Sequence, residues 1–484
     1  MIYSSRGHNA LYFFNFVFGI LLLVINLSIV SSICPIENLN KVDYEYARNS
    51  YFKYLLLRAA KSGDQVYENE VNRINNLKYA RTLNKQITIQ EVFRDNWDDF
   101  KEWCRAKKKH LRSSILINVQ KMIDCKDLSK GHLFFECPNC NNFYVQGLSC
   151  HSRFCVSCGK KYRDARANEI AKTCIHVPHR HITWTISGKL RGFFRRHREL
   201  YNELFAAVND VLTHLIQGKS KAAKRRNERL GFISTLHTFG RDIKHNPHIH
   251  TLVAECTIDN TGKRKPYNYF NYESLRKSFM KQILDRMYKF LKNNNFEDEL
   301  NEFKKVRTWL YKNVDNGFYV HAPQTECKNP KQIKRIVNYV CRYAGHPAMS
   351  ESRILKYDYC NKIIHYYYDP HEDDAIIDEN DKVGRQYVTE HIFEFIAKLI
   401  VHIPEEFVHT TRYYGFYANH SSLDTKHQYK LFKLTEINEM NKLLDWRFRL
   451  LSSYKYDPLI CHCGATMVFV PDQCYFPGYT KEAG

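Results

Sequence analysis

The chain has 484 residues, and its 73 Lys and Arg against 51 Asp and Glu give a formal charge of +22. That length excludes a single small domain and allows two or three domains with cores of their own. The charge points to a polyanionic partner, nucleic acid ahead of a membrane surface, and a 14% aromatic content suits stacking on bases.

Residues 10–33 carry no charge, and 16–25 is strongly apolar. By length this stretch could span a bilayer. With Arg6 before it and Ser31-Ser32-Ile33-Cys34 after it, it could also serve as a signal peptide. A third reading is translation from a start placed too far upstream, against which stands the absence of Met between Met1 and Met122. Residues 41–85 are charged and helix-prone. From 87 to 121, Ile89, Val92, Phe93, Trp97, Phe100 and Trp103 fall at helical spacings, and Leu111, Ile115 and Val119 continue them, with a basic run at Lys107-Lys108-Lys109.

Cys125, Cys137, Cys140, Cys150, Cys155 and Cys158 crowd into the next segment. Cys-x-x-Cys steps in a basic chain read as zinc thiolates in a reducing compartment, not as a disulfide framework. Two such knuckles with a short β-rich spacer can place four thiolates tetrahedrally, so one structural Zn²⁺ is expected on Cys137, Cys140, Cys155 and Cys158. Cys125 and Cys150 could replace one of the four, serve a second metal with His151, or pack as small apolar groups. Export would expose such a site to oxidation, which argues against both membrane and signal readings of residues 10–33.

His181-Ile182-Thr183-Trp184-Thr185-Ile186-Ser187 alternates as a strand, and a helix follows over about 195–216 with Leu200, Leu204, Val208 and Leu212 on one stripe. Lys219, Lys221, Lys224, Arg225, Arg226 and Arg229 then stand against one acid, Glu228, as either a solvated loop or a phosphate contact. Residues 231–240 form a second strand, a turn follows, and Asn246-Pro247-His248-Ile249-His250-Thr251-Leu252-Val253 forms a third, antiparallel to it. Side chains alternate along a strand, so His248 and His250 share a face, Ile249 takes the other, and the two imidazoles can share one divalent cation. His237 or Asp242 could come close as a third ligand.

Residues 273–293 read as a long helix and Phe318-Tyr319-Val320-His321 as a strand. The helical run 330–337 leads to Tyr339 and Tyr343, four residues apart and therefore on one helix face. A phenol is a competent nucleophile for phosphorus when a base or a metal-polarised phosphate assists it; in a chain with 33 Tyr the same spacing also serves packing. Residues 363–369 form a strand, and from about Thr389 the chain reads as helical. The spacing of Cys461-His462-Cys463-Gly464 is too short for a standard knuckle, so no second zinc site is expected there, although Cys474 could contribute. No Gly-rich phosphate loop is present, so no nucleotide cofactor is expected.

Zinc knuckles, a strand, a His-hydrophobic-His strand and a two-tyrosine helix, in that order, resemble the rolling-circle transposases of the insertion-sequence-91 family, which belong to the HUH single-strand endonucleases. The resemblance covers roughly 87–467. It includes Ser149-Cys150-His151-Ser152-Arg153-Phe154-Cys155-Val156-Ser157-Cys158 and Arg412-Tyr413-Tyr414-Gly415. Val156 stands where the family often has Pro, and His346 where it commonly has Arg.

The resemblance implies an α+β fold: a HUH-endonuclease antiparallel sheet flanked by helices, preceded by a helical segment and a small Cys-rich zinc domain, and followed by a mostly helical C-terminal region. The expected divisions are 1–40, 41–120, 121–175 (zinc-binding), 176–372 (catalytic) and 373–484. It also implies a transposase that attacks single-stranded DNA at element ends and target through Tyr339 and Tyr343, with 5′-phosphotyrosine intermediates. Mg²⁺ or Mn²⁺ would sit on His248 and His250, structural Zn²⁺ on the cysteines, and DNA phosphates on the basic run and Arg342. A replication initiator or relaxase with the same chemistry is the nearest alternative, and a non-catalytic zinc DNA-binding protein the next. The zinc domain and C-terminal block favour the transposase. The expected place is the cytoplasm, at the nucleoid, with membrane tethering through 10–33 as the alternative; the sequence leaves oligomeric state open.

Overall fold

The computed structural model describes residues 87–476 except 141, 219, 322–331, 333, 336, 338, 339, 341–347, 371–383, 407, 419–430, 432, 443–446, 448–456 and 458. The expectations for Tyr339, Tyr343, Arg342 and Lys219, and for residues 10–33 and 41–85, lie outside the described residues. The elements run α1 (Ile89–Ala106), α2 (Ser113–Ile123), β1 (His132–Glu136), β2 (Phe143–Gly147), α3 (Val156–Thr173), β3 (His179–Thr185), α4 (Arg191–Arg196), α5 (Leu200–Gln217), α6 (Lys221–Arg225), β4 (Arg229–Phe239), β5 (His245–Ile258) and β6 (Arg264–Pro266). They continue with α7 (Tyr272–Asn293), α8 (Glu297–Asn313), β7 (Val320–His321), β8 (Ile354–Asp358), β9 (Ile363–Tyr368), β10 (Gln386–His391), α9 (Ile392–Ile400), β11 (Thr411–Tyr414), α10 (Leu434–Lys442) and β12 (Val468–Phe469).

These elements fall into two units. The smaller takes Lys126–Leu148 together with the described part of Tyr456–Gly484. Its β1–β2 hairpin gains a third strand when β12 pairs with β1 at Phe135↔Phe469 and Glu136↔Val468. Alternation along β1 puts Phe134 in one small cluster with Leu128 and Val145, and Phe135 in another with Met467.

The larger unit is built on an antiparallel sheet ordered β11-β4-β5-β3-β7, with β6 on β5. On one face Trp184, Leu236, Ile249 and Val253 pack against α4, α5, α7 and α8 through residues such as Phe205, Phe279 and Phe303. On the other, Ile233, Leu252 and Ala254 share a buried cluster with Ile170 and Ala171 of α3, with Val337 and Val340, and with Phe416 and Tyr417. A second sheet, β10-β9-β8, is covered by α1, α2 and α9. α1 starts where Thr88 caps the amide of Glu91, the Thr-x-x-Glu arrangement that also places an acid in the first turn.

The helical period expected over 87–121 is interrupted. α1 stops where Lys108 adopts a φ of +52° and the Lys109 amide closes back on the Cys104 carbonyl at 2.8 Å. Lys107 and Lys109 then lie over the Trp103 ring, 4.4 and 4.6 Å from its centre. The helix expected over 195–216 is likewise two helices, broken at His197. Beyond Thr389 the chain holds more strand than its pattern suggests: β10, β11 and β12 all join sheets, since short strands of Tyr, Thr and Val alternate too briefly to stand out from the helices beside them. Among the described residues no helix is long and apolar enough to cross a membrane.

Candidate active site and metal centres

β5 lies at the centre of the large sheet, and its neighbours fix what its histidines meet. Antiparallel pairing sets His237 of β4 directly across from His248, and Thr183 and Thr185 of β3 across from His250 and His248. Paired residues point to the same side, so His237, His248 and His250 converge on one face. Ile249, fully buried, points the other way beside Trp184 and Leu236. A one-residue slip would put Ile249 among the histidines and drive both imidazoles into the apolar cluster of Trp184 and Leu236. A polar ring without a partner is costly there, so the packing of Ile249 helps to hold the register of the site. Pro247 is not at the start of the strand but third in it, where the β4–β5 register shifts between His237 and Phe239. Such a bulge accommodates a residue without an amide hydrogen and adds twist beside the site.

One ligand atom from each of His237, His248 and His250 lies within 4.8 Å of the others. His248 Nδ1 is 2.7 Å from the Asn246 carbonyl. A carbonyl only accepts, so His248 carries its proton there and turns a bare Nε2 toward Nε2 of His250, 3.1 Å away. Two cis ligands about 2.1 Å from an octahedral cation lie about 3.0 Å apart, so the pair fits a divalent ion. Behind it, His181 Nε2 stands 2.8 Å from His250 Nδ1. That contact lets His250 keep its proton on Nδ1 and leave Nε2 for a cation, the usual support of a ligating imidazole. Burial, reinforced by the neighbouring His237, His248 and His181, holds His250 well below the ordinary imidazole range. Burial, with His321 and His248 nearby, brings His181 to about 4. Both rings are neutral at physiological pH, as metal ligands and their supports must be. His181, read from sequence only as part of a strand, acquires this position through the β3–β5 register. Of the two residues considered as third ligand, His237 joins the group; Asp242 instead accepts from the Lys244 amide at 3.1 Å.

The cysteines assemble differently from expectation. Cys137, Cys140, Cys155 and Cys158 do not share one site. Cys155 and Cys158, at the start of α3, meet Cys125 from the end of α2 and Cys150. The sulfurs of Cys125 and Cys150 lie 3.6 and 3.7 Å from that of Cys158. Four sulfurs about 2.3 Å from a tetrahedral zinc lie about 3.8 Å apart, so this set fits structural Zn²⁺. Hydrogen bonds from Cys125, Cys150 and Cys155 hold Cys158 far below the ordinary thiol range, leaving a thiolate ready for a cation. Cys125, Cys155 and Cys158 are buried with Phe93, Trp97 and Met122, so the site is part of the packing under α1 and α2. Cys137 and Cys140 gather instead with Cys461 and Cys463. The short Cys-x-Cys spacing thus does bring its thiols to a cluster. Cys474 does not join it: the Phe134 amide donates to its sulfur at 3.4 Å and its thiol faces the Val470 carbonyl.

The basic run is a short helix, not an open loop. α6 is capped by Ser220, and Lys221, Lys224, Arg225, Arg226 and Arg229 are exposed. Arg226 shares Glu228 with Lys265, both at 2.6 Å, and Arg229 bonds Asn227. From Arg229 to His237 along β4 is about 27 Å, at 3.4 Å per residue. Bordering His237 is a cavity of about 290 Å³ whose lining includes Arg153, Phe154, Arg198, Tyr201 and Phe239.

The family model described as "Transposase zinc-binding domain" matches residues 92–186, and one described as "Putative transposase" matches 231–424. The transposase for insertion sequence element IS801 of Pseudomonas savastanoi pv. phaseolicola is 28% identical over 315 residues, covering 64% of this chain and 72% of its own. The protein described as "Putative transposase y4qJ" of Sinorhizobium fredii is 24% identical over 311 residues, covering 61% of this chain and 72% of its own. No solved structure gives a significant match.

Proposed function

This chain belongs to the insertion-sequence-91 type of transposases and carries their zinc-binding domain, and from that premise we propose that it cuts and rejoins single-stranded DNA at element ends and target by a rolling-circle route. The observation that carries the reading is the convergence of His237, His248 and His250 at the middle of the sheet. Val337 and Val340, on either side of Tyr339 in sequence, belong to the buried cluster containing Leu252, whose side chain shares a face with His250.

A divalent cation, Mg²⁺ or Mn²⁺, held by the three imidazoles would polarise the scissile phosphate and offset the charge that builds on it. Tyr339 and Tyr343 supply the nucleophiles. Attack forms a phenol O–P bond and breaks the P–O3′ bond, giving a 5′-phosphotyrosine; the phenol loses its proton to solvent and the departing 3′-oxygen takes one from solvent, leaving a free 3′-hydroxyl. Because the diester is exchanged and not hydrolysed, rejoining requires no nucleotide. A second tyrosine permits a second exchange on the other end or the target. Lys219, Lys221, Lys224, Arg225, Arg229 and Arg342 grip phosphates, with Arg226 weakened by its pairing to Glu228. The aromatic and cationic lining of the cavity beside His237 suits an unstacked base.

His248→Ala and His250→Ala test the reading. Cleavage of a single-stranded oligonucleotide carrying the element end should fall about 10²–10³-fold, the worth of several kcal/mol of charge stabilisation. Binding of the same oligonucleotide should change little. Wild-type cleavage by either variant in Mg²⁺ and in Mn²⁺ would remove the histidines from the mechanism.

A further inference from the structure

We propose that the chain holds a second zinc ion, on Cys137, Cys140, Cys461 and Cys463, which clasps the C-terminal segment onto the β1–β2 hairpin. The four sulfurs lie within 4.8 Å of one another, with Cys137–Cys463 at 3.4 Å and Cys140–Cys461 at 3.5 Å. Those separations are far from a disulfide, whose sulfurs bond at about 2.05 Å, and near the spacing that four ligands of one tetrahedral zinc require. Cys461 and Cys463 lie outside both family matches, which end at residues 186 and 424.

Both halves of the site are shaped as metal loops. Cys137 and Cys140 occupy the turn between β1 and β2, where the Cys137 amide bonds the Asn142 carbonyl at 2.7 Å. Cys461 to Gly464 forms the opposing turn: the Gly464 amide reaches back to the Cys461 carbonyl at 2.9 Å, and Gly464 sits at a φ of +84°. His462 and Cys463 are the central residues of that turn, so the chain reverses inside the Cys-x-Cys step itself, and left-handed Gly464 then carries it back to Ala465, whose carbonyl accepts from the Cys461 amide at 2.9 Å. The Asn142 side-chain amide lies 3.2 Å from His462 Nδ1 and 3.8 Å from Cys461 Sγ, so it ties the hairpin turn to the opposing one beside the sulfurs.

The small unit also needs such a clasp. Its described apolar clusters have only Leu128, Phe134 and Val145 on one side and Phe135, Cys137, Cys461 and Met467 on the other as buried members. A core of that size cannot by itself offset the entropy of ordering the segment, and small domains of this kind rely on metals or disulfides. β12 contributes two paired residues, and beyond it the segment adds the Val470 amide bond to Phe134 and the His132–Tyr475 bridge, a short edge ladder that gains from a second anchor.

The two sites differ in exposure. Cys140 and Cys463 are exposed, whereas Cys125, Cys155 and Cys158 are buried. The clasp ion should therefore exchange first. This inference is independent of the strand-exchange reading.

The test uses full-length protein purified under reducing conditions. Metal analysis should give two Zn per chain, and Zn K-edge absorption an average of four sulfurs per ion at about 2.3 Å. A chromophoric chelator should withdraw the metal in two phases of equal amplitude. Cys461→Ser with Cys463→Ser should retain one Zn, lose the fast phase, and be cut by protease within 457–476 at least tenfold faster. Cys474→Ser should keep both ions. One Zn per wild-type chain, nitrogen or oxygen ligands making up half the average shell, or two Zn in the Cys461/Cys463 double variant would overturn the proposal. So would zinc-free protein with Cys137–Cys463 or Cys140–Cys461 disulfides. The absorption and chelation measurements use the wild-type chain, so they decide the matter even if the double variant does not fold.

Discussion

His179 opens β3 two residues before His181, and its surroundings accept only a neutral ring. The Val177 carbonyl lies 2.8 Å from Nδ1, so the ring proton must be there. Nε2 is then a lone pair, 2.7 Å from the Tyr417 hydroxyl, which must donate to it; the Tyr417 oxygen in turn accepts from the Ile175 amide at 3.1 Å. Burial lowers the His179 pKa to about 4. In the unfolded chain an imidazole titrates near 6.5, so between pH 6.5 and 4 the unfolded state binds the extra proton and stability falls as pH falls. The contribution is complete above about pH 6.5 and gone below about 4. For those two pKa values the loss at pH 5 is about 2 kcal/mol. His179→Gln can keep a donor and an acceptor but cannot titrate. Its unfolding free energy, measured by urea denaturation at pH 7.5 and pH 5, should therefore drop about 2 kcal/mol less over that interval than the wild type's. An identical pH dependence in the two proteins, or a His179 ring titrating near 6.5 by NMR, would refute the reasoning.

Two further substitutions probe the scaffold around the site. Gly415 follows β11 at a φ of +60°, and a Cβ there would sit 1.6 Å from the Leu230 carbonyl oxygen; Gly415→Ala should cost roughly 3 kcal/mol or more, read as a large fall in Tm, and an unchanged Tm would contradict the packing of β11 on β4. Arg180 and Glu255 form an ion pair with side chains 4% and 10% exposed. Arg180→Met, which strands the carboxylate, should cost about 3–5 kcal/mol, and adding Glu255→Leu should recover most of it; a double-mutant cycle in urea without coupling would show the pair to be inert.

The parts legible in the sequence are those set by short-range alternation. His248 and His250 on one face, with Ile249 on the other, follow from the period of two, and α7 appears almost residue for residue from its apolar spacing. What the sequence hid depends on pairing between distant segments. His237 becomes a neighbour of His248 only because β4 and β5 pair in that register, and His181 reaches His250 only through β3. The cysteines show this most clearly. Knuckle spacing suggested that adjacent pairs share an ion, but β1 and β2 carry Cys137 and Cys140 to residues 321 and more positions away, and α2 delivers Cys125 to the other pair. The breaks at Lys108 and His197 were also invisible, since each interrupts an apolar stripe without interrupting its period.

The central claim is that paired tyrosines exchange a DNA strand beside the histidine centre. It is tested most directly by incubating the full chain with a single-stranded oligonucleotide carrying the element end and Mg²⁺ or Mn²⁺, then mapping the peptide that becomes covalently attached. The account predicts a 5′-phosphate linked to Tyr339 or Tyr343. Tyr339→Phe and Tyr343→Phe, which remove only a hydroxyl, should each abolish the complete strand-transfer cycle, and the double variant should form no adduct. DNA attached to any other residue, or full transposition by the double Phe variant, would contradict it.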